Sequence, residues 1–413
     1  MSASVFRRKT CRLCGEHDLE LVLKLAPTPV ADAYVPAESL GKAQESYPLD
    51  LFLCSGCSDL QLLDVVDPGI LYGDYLYVTS SSPGLDKHFE SYADEVMDRV
   101  NPAKESLVID VGSNDGTLLK FFKRQGMRVL GIDPAGDIAQ KATESGIETL
   151  SAFFVPDVAR KIKNERGRAT IITANNVIAN IDDLGQLAEA IQELLAPDGV
   201  FIFETGYLAD LIQGAVFDNI YHEHLCYHSV KPLELFFRRH GMELIHTSRV
   251  PTKGGSLRGT VQLAGGPRSV SPSVAELIAL EVNLGLDCAE TFKAFAGKLD
   301  NVKTALLDFL REVKAQGRTI AGYGASHSVT TVIYHFGLGD ILSFIVDDNP
   351  RKQNLFSPGH HIPVLSPQAL YERKPDYVLT LAWRFSEQVM KKHQAYLDQG
   401  GHFIVPLPEI RVI

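Results

Sequence analysis

What the chain lacks narrows its class first. No run of about 18 apolar residues occurs, so nothing in it reads as a membrane-spanning helix. The N-terminus, MSASVFRRKT, has no apolar core of the kind a signal peptide carries, and the expectation is a cytoplasmic protein without a membrane partner. Basic residues are the minority: 40 Lys and Arg against 51 Asp and Glu give a net charge of −11, and no basic stripe offers a nucleic-acid surface. Internal repeats and low-complexity tracts are absent as well. What is there is 413 residues, 45% hydrophobic and 22% charged. That is the balance of a globular protein with substantial cores, too long for one ordinary domain.

Cysteine is scarce too, six in all, and unevenly placed. Cys11/Cys14 and Cys54/Cys57 form two Cys-x-x-Cys pairs, while Cys226 and Cys288 stand alone. In a reducing compartment two such pairs suggest a four-thiolate zinc site rather than disulfides. Each pair offers two sulfurs on one side of a short knuckle, and two knuckles close the tetrahedral shell of a structural Zn2+. Two unrelated reduced pairs are the alternative. A redox role is disfavoured because neither pair opens a helix after a strand. His17 is a further donor nearby, though a filled sulfur shell does not need it.

Three domains are expected. Residues 1–65 read as the zinc-binding domain, with short strands in YPLDLFLC and LQLLDVV. A tether, 66–100, carries an aromatic and hydroxyl-rich loop (YLYVTSSSPG) and then a helix from His88 to Val100. In 101–268, apolar strands (SLVIDV, RVLGID, ATIITAN, GVFIFET) alternate with amphipathic helices, the pattern of an α/β domain whose parallel sheet is covered on both faces. GMELIHTSRVP and SLRGTVQLAG should close that sheet as an antiparallel pair. In 269–413 a long helical passage precedes a second, smaller Rossmann-like unit (TIAGYGAS, SFIVDDNP, YVLTLAW, HFIVPLP).

The most informative stretch is Val108 to Gly116, VIDVGSNDG: a strand, a glycine turn and the opening of a helix. Such a turn makes a cofactor notch at the end of a parallel sheet. Only Gly112 and Gly116 are present, so the three-glycine dinucleotide fingerprint is not met. S-adenosylmethionine (SAM) fits better than NAD, although an ordinary α/β turn reads the same way. Asp110, Asn114, Asp115, Asn175 and Asn176 line the same sheet end as candidate cofactor residues, and Asp133, ending the next strand, is placed to accept both ribose hydroxyls.

After the strand GVFIFET comes Tyr221-His222-Glu223-His224. Ligands bind outside the carboxyl ends of parallel strands, so this segment should face the cofactor. It offers a base that titrates near neutrality, a carboxylate to hold its tautomer and a phenol to steady an oxyanion. A hydrogen-bonded structural cluster is an alternative. A metal site is a weaker one, since the histidines are i, i+2 rather than i, i+4. The second glycine turn, Gly322 to Ser326, opens another helix N-terminus suited to phosphate. Tyr323, Ser326, Arg258, Lys352 and His222 are candidate substrate residues, the two cations as phosphate partners or merely solvated surface charges.

Nearly end to end, the chain resembles the sugar C-3'-methyltransferases, which act on nucleotide-linked 4-keto deoxysugars. The resemblance rests on CxxC…CxxC, the tyrosine-and-serine loop, DVGSNDG, GIDPA, FETGYL, IYHEH, KGGSLR, GYGAS, DDNPRKQ and LAW. It implies a zinc-binding N-terminal domain, a central SAM-dependent Rossmann domain and a C-terminal domain of Rossmann type, with the nucleotide-linked sugar between them. It further implies that His224 takes the proton beside the 4-keto group and that the enolate attacks the methyl of SAM. Tyr221 and Glu223 match positions that orient base or sugar, and Tyr77 matches a substrate-side tyrosine. Three positions depart from the family: Asn180 and Lys253 where histidine is usual, and His327-Ser328 near a usual lysine. Another enolisable or hydroxyl-bearing acceptor, or a non-catalytic SAM-fold binding protein, are the competing expectations.

Overall fold

The computed structural model describes residues 4–72, 79 and 84–413. Tyr77 and most of its loop lie outside the described residues.

The N-terminal part is built around its two cysteine knuckles. Each closes as a turn, with Gly15 N–H on the Cys11 carbonyl (3.0 Å) and Ser58 N–H on the Cys54 carbonyl (2.9 Å). Both turns end in a left-handed residue, Gly15 at φ 78° and Ser58 at φ 66°. For serine that conformation costs about 1 kcal/mol, which metal binding at the adjacent sulfurs can offset. Strands Leu19–Lys24, Asp50–Cys54 and Leu60–Leu62 pair antiparallel beside the knuckles. Their fourth strand comes from far away in the chain: Cys226–Tyr227 pairs antiparallel with Leu60–Leu62. By sequence this dipeptide belongs with the central α/β pattern, and its pairing was not foreseeable from that pattern.

The central sheet has seven strands in the order Met242–Val250, Ser256–Leu263, Leu195–Gly206, Ala169–Asn175, Leu107–Val111, Arg128–Asp133, Thr149–Ser151. Its core strands are parallel, and Ser256–Leu263 runs antiparallel to both neighbours. Two-residue alternation decides which face each side chain covers. Val108, Ile171, Val200 and Ile202 meet the helices Leu85–Val100 and Thr117–Arg124, whereas Ile109, Ile172, Phe201 and Phe203 join the opposite core with Leu187 and Ile191. In helix Leu85–Val100 the buried set is Phe89, Tyr92, Ala93 and Val96, the i, i+3, i+4, i+7 stripe of a helix laid on a sheet. Gly259 is required by close approach, because a Cβ there would stand 2.2 Å from the Phe203 ring.

The C-terminal part opens with helices Pro272–Asn283 and Ala289–Ala315. The long helix buries Phe292, Phe295, Leu299, Leu306 and Leu310 and reaches the cysteine module, where Lys293 pairs with Glu20 (2.6 Å). The last sheet runs Val364–Leu365, Ile345–Val346, Ile320–Tyr323, Tyr377–Thr380, His402–Val405, Arg411–Val412, parallel except for its final strand. Among the described residues no helix is long and apolar enough to cross a membrane.

Candidate active site

Four central strands end together and present the cofactor notch. Gly112 (φ 70°) and Gly116 (φ 73°) hold the turn in a left-handed conformation that side chains avoid, and a Cβ on Gly112 would strike Val177 at 2.3 Å. Asp133 accepts hydrogen bonds from the Asn114 and Ala135 amides, both 2.9 Å, so its carboxylate ties the two sheet-end turns together. Asp115 accepts from Thr117 N (3.2 Å) and Thr117 Oγ1 (2.5 Å), the first residue of the following helix. Asn114 Oδ1 takes the Thr79 amide at 2.8 Å. Asp110 accepts from Thr173 Oγ1 (2.6 Å), and burial pushes its carboxyl up to about 7. Asn175 stands beside Asp110 and Tyr92, and the Asn176 amide donates to the Glu204 carbonyl at 2.6 Å. A glycine turn with closely packed backbone, facing an acid at the end of the neighbouring strand, fits an adenosine-bearing ligand.

Beside this notch lies a cavity lined by Asn176, Asn180, Thr205, Tyr221, His224 and Lys253, among others. His224 Nδ1 donates to the Asn219 carbonyl at 2.9 Å. That bond fixes the neutral tautomer and leaves Nε2 as the basic nitrogen. Burial holds the imidazole down at about 4, with Lys253 and His327 adding to the effect, so the ring is uncharged at neutral pH. Tyr221 stacks on it at 4.1 Å between centroids, tilted 34°. Asn180 Oδ1 and Thr205 Oγ1 are buried polar atoms on this cavity with no partner among the described residues. Such groups call for a polar ligand or water.

On the other side of Tyr221, whose ring also lies 6.1 Å from His327, three parts of the chain meet. Asp32, from the loop between the cysteine pairs, ion-pairs with Lys352 and lies 3.6 Å from His327 Nε2. His327 Nε2 is in turn 3.9 Å from Glu223. Burial, reinforced by Asp32, pushes the Glu223 carboxyl up to about 8. Lys352 also stands over the Tyr34 ring at 4.5 Å. No sequence pattern marked Asp32; only the fold brings it here.

Several sequence candidates are placed elsewhere. His222 turns away from the cavity: its Nε2 lies 3.2 Å from the Tyr47 carbonyl, and its ring packs edge-on against Tyr47. Arg258 is buried in the protein's own charge network rather than offered to a phosphate. Its guanidinium binds Glu204 (3.0 and 3.1 Å) and Glu95 (2.8 Å), over the Tyr92 ring. Glu204 also receives His88 (2.9 Å) and Thr252 (2.8 Å). Burial alone would raise it, but these partners outweigh burial and keep it ionised below the usual range. Tyr323 donates to Asp348 (3.1 Å) and contacts His393 (3.0 Å) inside the last sheet unit. Ser326 is exposed at the start of helix His327–Phe336.

The four cysteine sulfurs come together as the spacing suggested. Cys11 and Cys57 are 3.6 Å apart, Cys14 and Cys54 3.5 Å, and all four lie within 4.8 Å of one another. Zn–S bonds of about 2.3 Å need sulfur separations of this size. Gln61 Nε2 points at Cys11 Sγ (3.1 Å), a donor suited to a thiolate. The site fits structural zinc.

Three family models match in chain order: a zinc binding domain over residues 11–72, a methyltransferase domain over 86–247 and the C-methyltransferase C-terminal domain over 251–408. C-methyltransferase NovU of Streptomyces niveus is 34% identical over 404 residues, spanning 98% of this chain and 96% of that protein. A ubiquinone biosynthesis O-methyltransferase of Azorhizobium caulinodans is 23% identical over 107 residues, 26% of this chain and 42% of that one. A crystal structure of a SAM-dependent methyltransferase from Anabaena variabilis covers 44% of this chain and 96% of its own, with 16% identity and a TM-score of 0.34. The fold and site define a SAM-dependent methyltransferase with a four-cysteine zinc module. The chain belongs to the C-methyltransferase family that its motifs resemble.

Proposed function

We propose that this enzyme methylates C3 of a nucleotide-linked 4-keto-6-deoxysugar through an enolate. The observation that carries the reading is His224: a neutral imidazole, Nδ1 fixed by the Asn219 carbonyl, on a cavity that shares Asn176 with the cofactor notch. Nε2 takes the proton from the carbon next to the ketone. Tyr221, stacked on the ring, holds its plane. Lys253 lines the same cavity and supplies positive charge where the enolate oxygen develops. Asn180 and Thr205 offer their buried polar atoms to the sugar. Glu223, neutral below about 8, serves as a hydrogen-bond donor rather than a second base. Bound SAM supplies the electrophilic methyl group. Ser326, at the second glycine turn, and Lys352, in the turn that follows the strand Ile345–Val346, are proposed for the nucleotide side of the substrate, and Tyr77 for the sugar side.

The test is solvent exchange. With S-adenosylhomocysteine in place of SAM, deuterium from the solvent is expected to enter C3 of the 4-keto sugar, and NMR of the SAM product should place the methyl there. Methylation of a hydroxyl oxygen, or transfer that survives His224→Asn, would sink the assignment.

A further inference from the structure

The strand Cys226–Tyr227 begins two residues after His224, yet it completes the sheet of the cysteine module. Leu62 N–H donates to the Leu225 carbonyl at 2.9 Å, and the Leu225 amide donates to Ala179 at 2.7 Å. The residue next to His224 is therefore clamped between the cysteine module and the sheet-end segment that carries Asn180.

A buried polar chain runs parallel to this clamp. Gln61 Nε2 reaches Cys11 Sγ (3.1 Å) and Asp59 Oδ2 (3.0 Å). Asp59 in turn groups with Cys226 and His228, their polar atoms within 4.8 Å of one another, and His228 Nδ1 lies 3.8 Å from Asp59 Oδ1. Asp59 and His228 have essentially no exposure, and Cys226 has 2%. Arg12 closes the group: its guanidinium binds Gln61 (3.2 Å), the Leu62 carbonyl (2.5 Å) and Asp182 (3.0 Å). Such donors could hold a second metal, but a buried guanidinium beside them argues against another cation.

We infer that Gln61, Asp59 and Cys226 are positioning residues that couple the four-cysteine site to the placement of His224. The inference rests on the reading of His224 as the base. Its physical content is that the knuckles fix Gln61 through Cys11, Gln61 fixes Asp59, and Asp59 with the paired strand fixes the backbone on which His224 sits. The glycine turn Gly112–Gly116 and Asp133 of the cofactor notch lie on other strands and make none of these contacts.

The experiment uses the full-length, zinc-loaded protein with its histidines 13C-labelled. Cys226→Val and the near-isosteric Asp59→Asn are compared with the rescue variant Cys226→Ser. Expected are unchanged zinc content at one per chain, unchanged SAM affinity by calorimetry, a displaced or broadened His224 resonance, and kcat lowered by about 10- to 100-fold with little change in KM. Cys226→Ser should restore both signal and rate. A His224 resonance and kcat untouched in both disruptive variants would overturn the inference. So would two metal equivalents per chain, one of them lost in Asp59→Asn, which would make the cluster a metal site. Should His224→Asn retain methyl transfer, the reading of the base fails, while the resonance shift still reports whether the coupling exists.

Discussion

Asp32 and Lys352 are ion-paired although 320 positions separate them in the sequence, one on the loop between the cysteine pairs and the other beyond the strand Ile345–Val346. The same aspartate faces His327 and, through its charge, helps keep Glu223 protonated. Since Glu223 titrates near 8, activity should fall as pH rises through that value, because its neutral form is the hydrogen-bond donor. Asp32→Asn should draw this alkaline limb of the kcat/KM profile toward lower pH. A limb that does not move would assign the high value of Glu223 to burial alone.

His224 is uncharged from about pH 5 upward, since burial holds it near 4. The acid limb of the same profile should therefore lie well below the value of an ordinary histidine. His224→Asn should lower kcat by roughly 10²- to 10⁴-fold, the range for loss of a general base, with SAM affinity intact. Rapid-quench assays and calorimetry on the same preparation separate the two effects.

At the glycine turn, Asp133→Ala removes the acceptor for two backbone amides as well as the proposed ribose contact. SAM binding should weaken by at least about tenfold, a loss of about 1.4 kcal/mol. Calorimetric titration with S-adenosylhomocysteine measures it directly; unchanged affinity would remove Asp133 from the cofactor site.

Cys54→Ser breaks the sulfur shell at the base of its own strand. Zinc content should fall and the thermal midpoint with it, because the energy of a structural metal site is folding energy. The fraction that remains folded should still bind SAM, and strong loss of SAM affinity in a folded, zinc-free sample would contradict this.

Arg258 is 6% exposed and answers both Glu204 and Glu95. Arg258→Met leaves Glu204 buried with His88 and Thr252 as its remaining side-chain partners, and should cost about 3 to 5 kcal/mol of stability. Urea denaturation reads this. A fully stable variant defective only in substrate affinity would restore the phosphate role that the sequence suggested.

Much of this architecture is legible from one-dimensional patterns. Apolar strands such as ATIITAN, buried on both faces, announced a parallel sheet, and the i, i+2 spacing argued against a metal at His222 and His224. The two cysteine knuckles were equally plain, since each is a local turn. What the pattern could not supply is long-range. Arg258 reads in the sequence as a phosphate partner or a solvated charge, and only the register puts it opposite Glu204 on the neighbouring strand. His222 points away from His224 because the segment between them is a turn rather than a strand. Asp32 sits in a loop with no motif at all.

The shared sheet also has a consequence for how the chain is made. Leu60–Leu62, buried along its whole length, cannot acquire its outer neighbour until residue 226 has left the ribosome. Until then the nascent cysteine module presents an unpaired apolar edge, the feature that invites strand addition from other chains. Metal capture at the knuckles can occur early because all four sulfurs precede residue 58. Sheet completion is late and waits on the methyltransferase core. A fragment ending near residue 72 is therefore expected to bind zinc and yet aggregate, and the same edge makes the N-terminal module a poor candidate for independent expression.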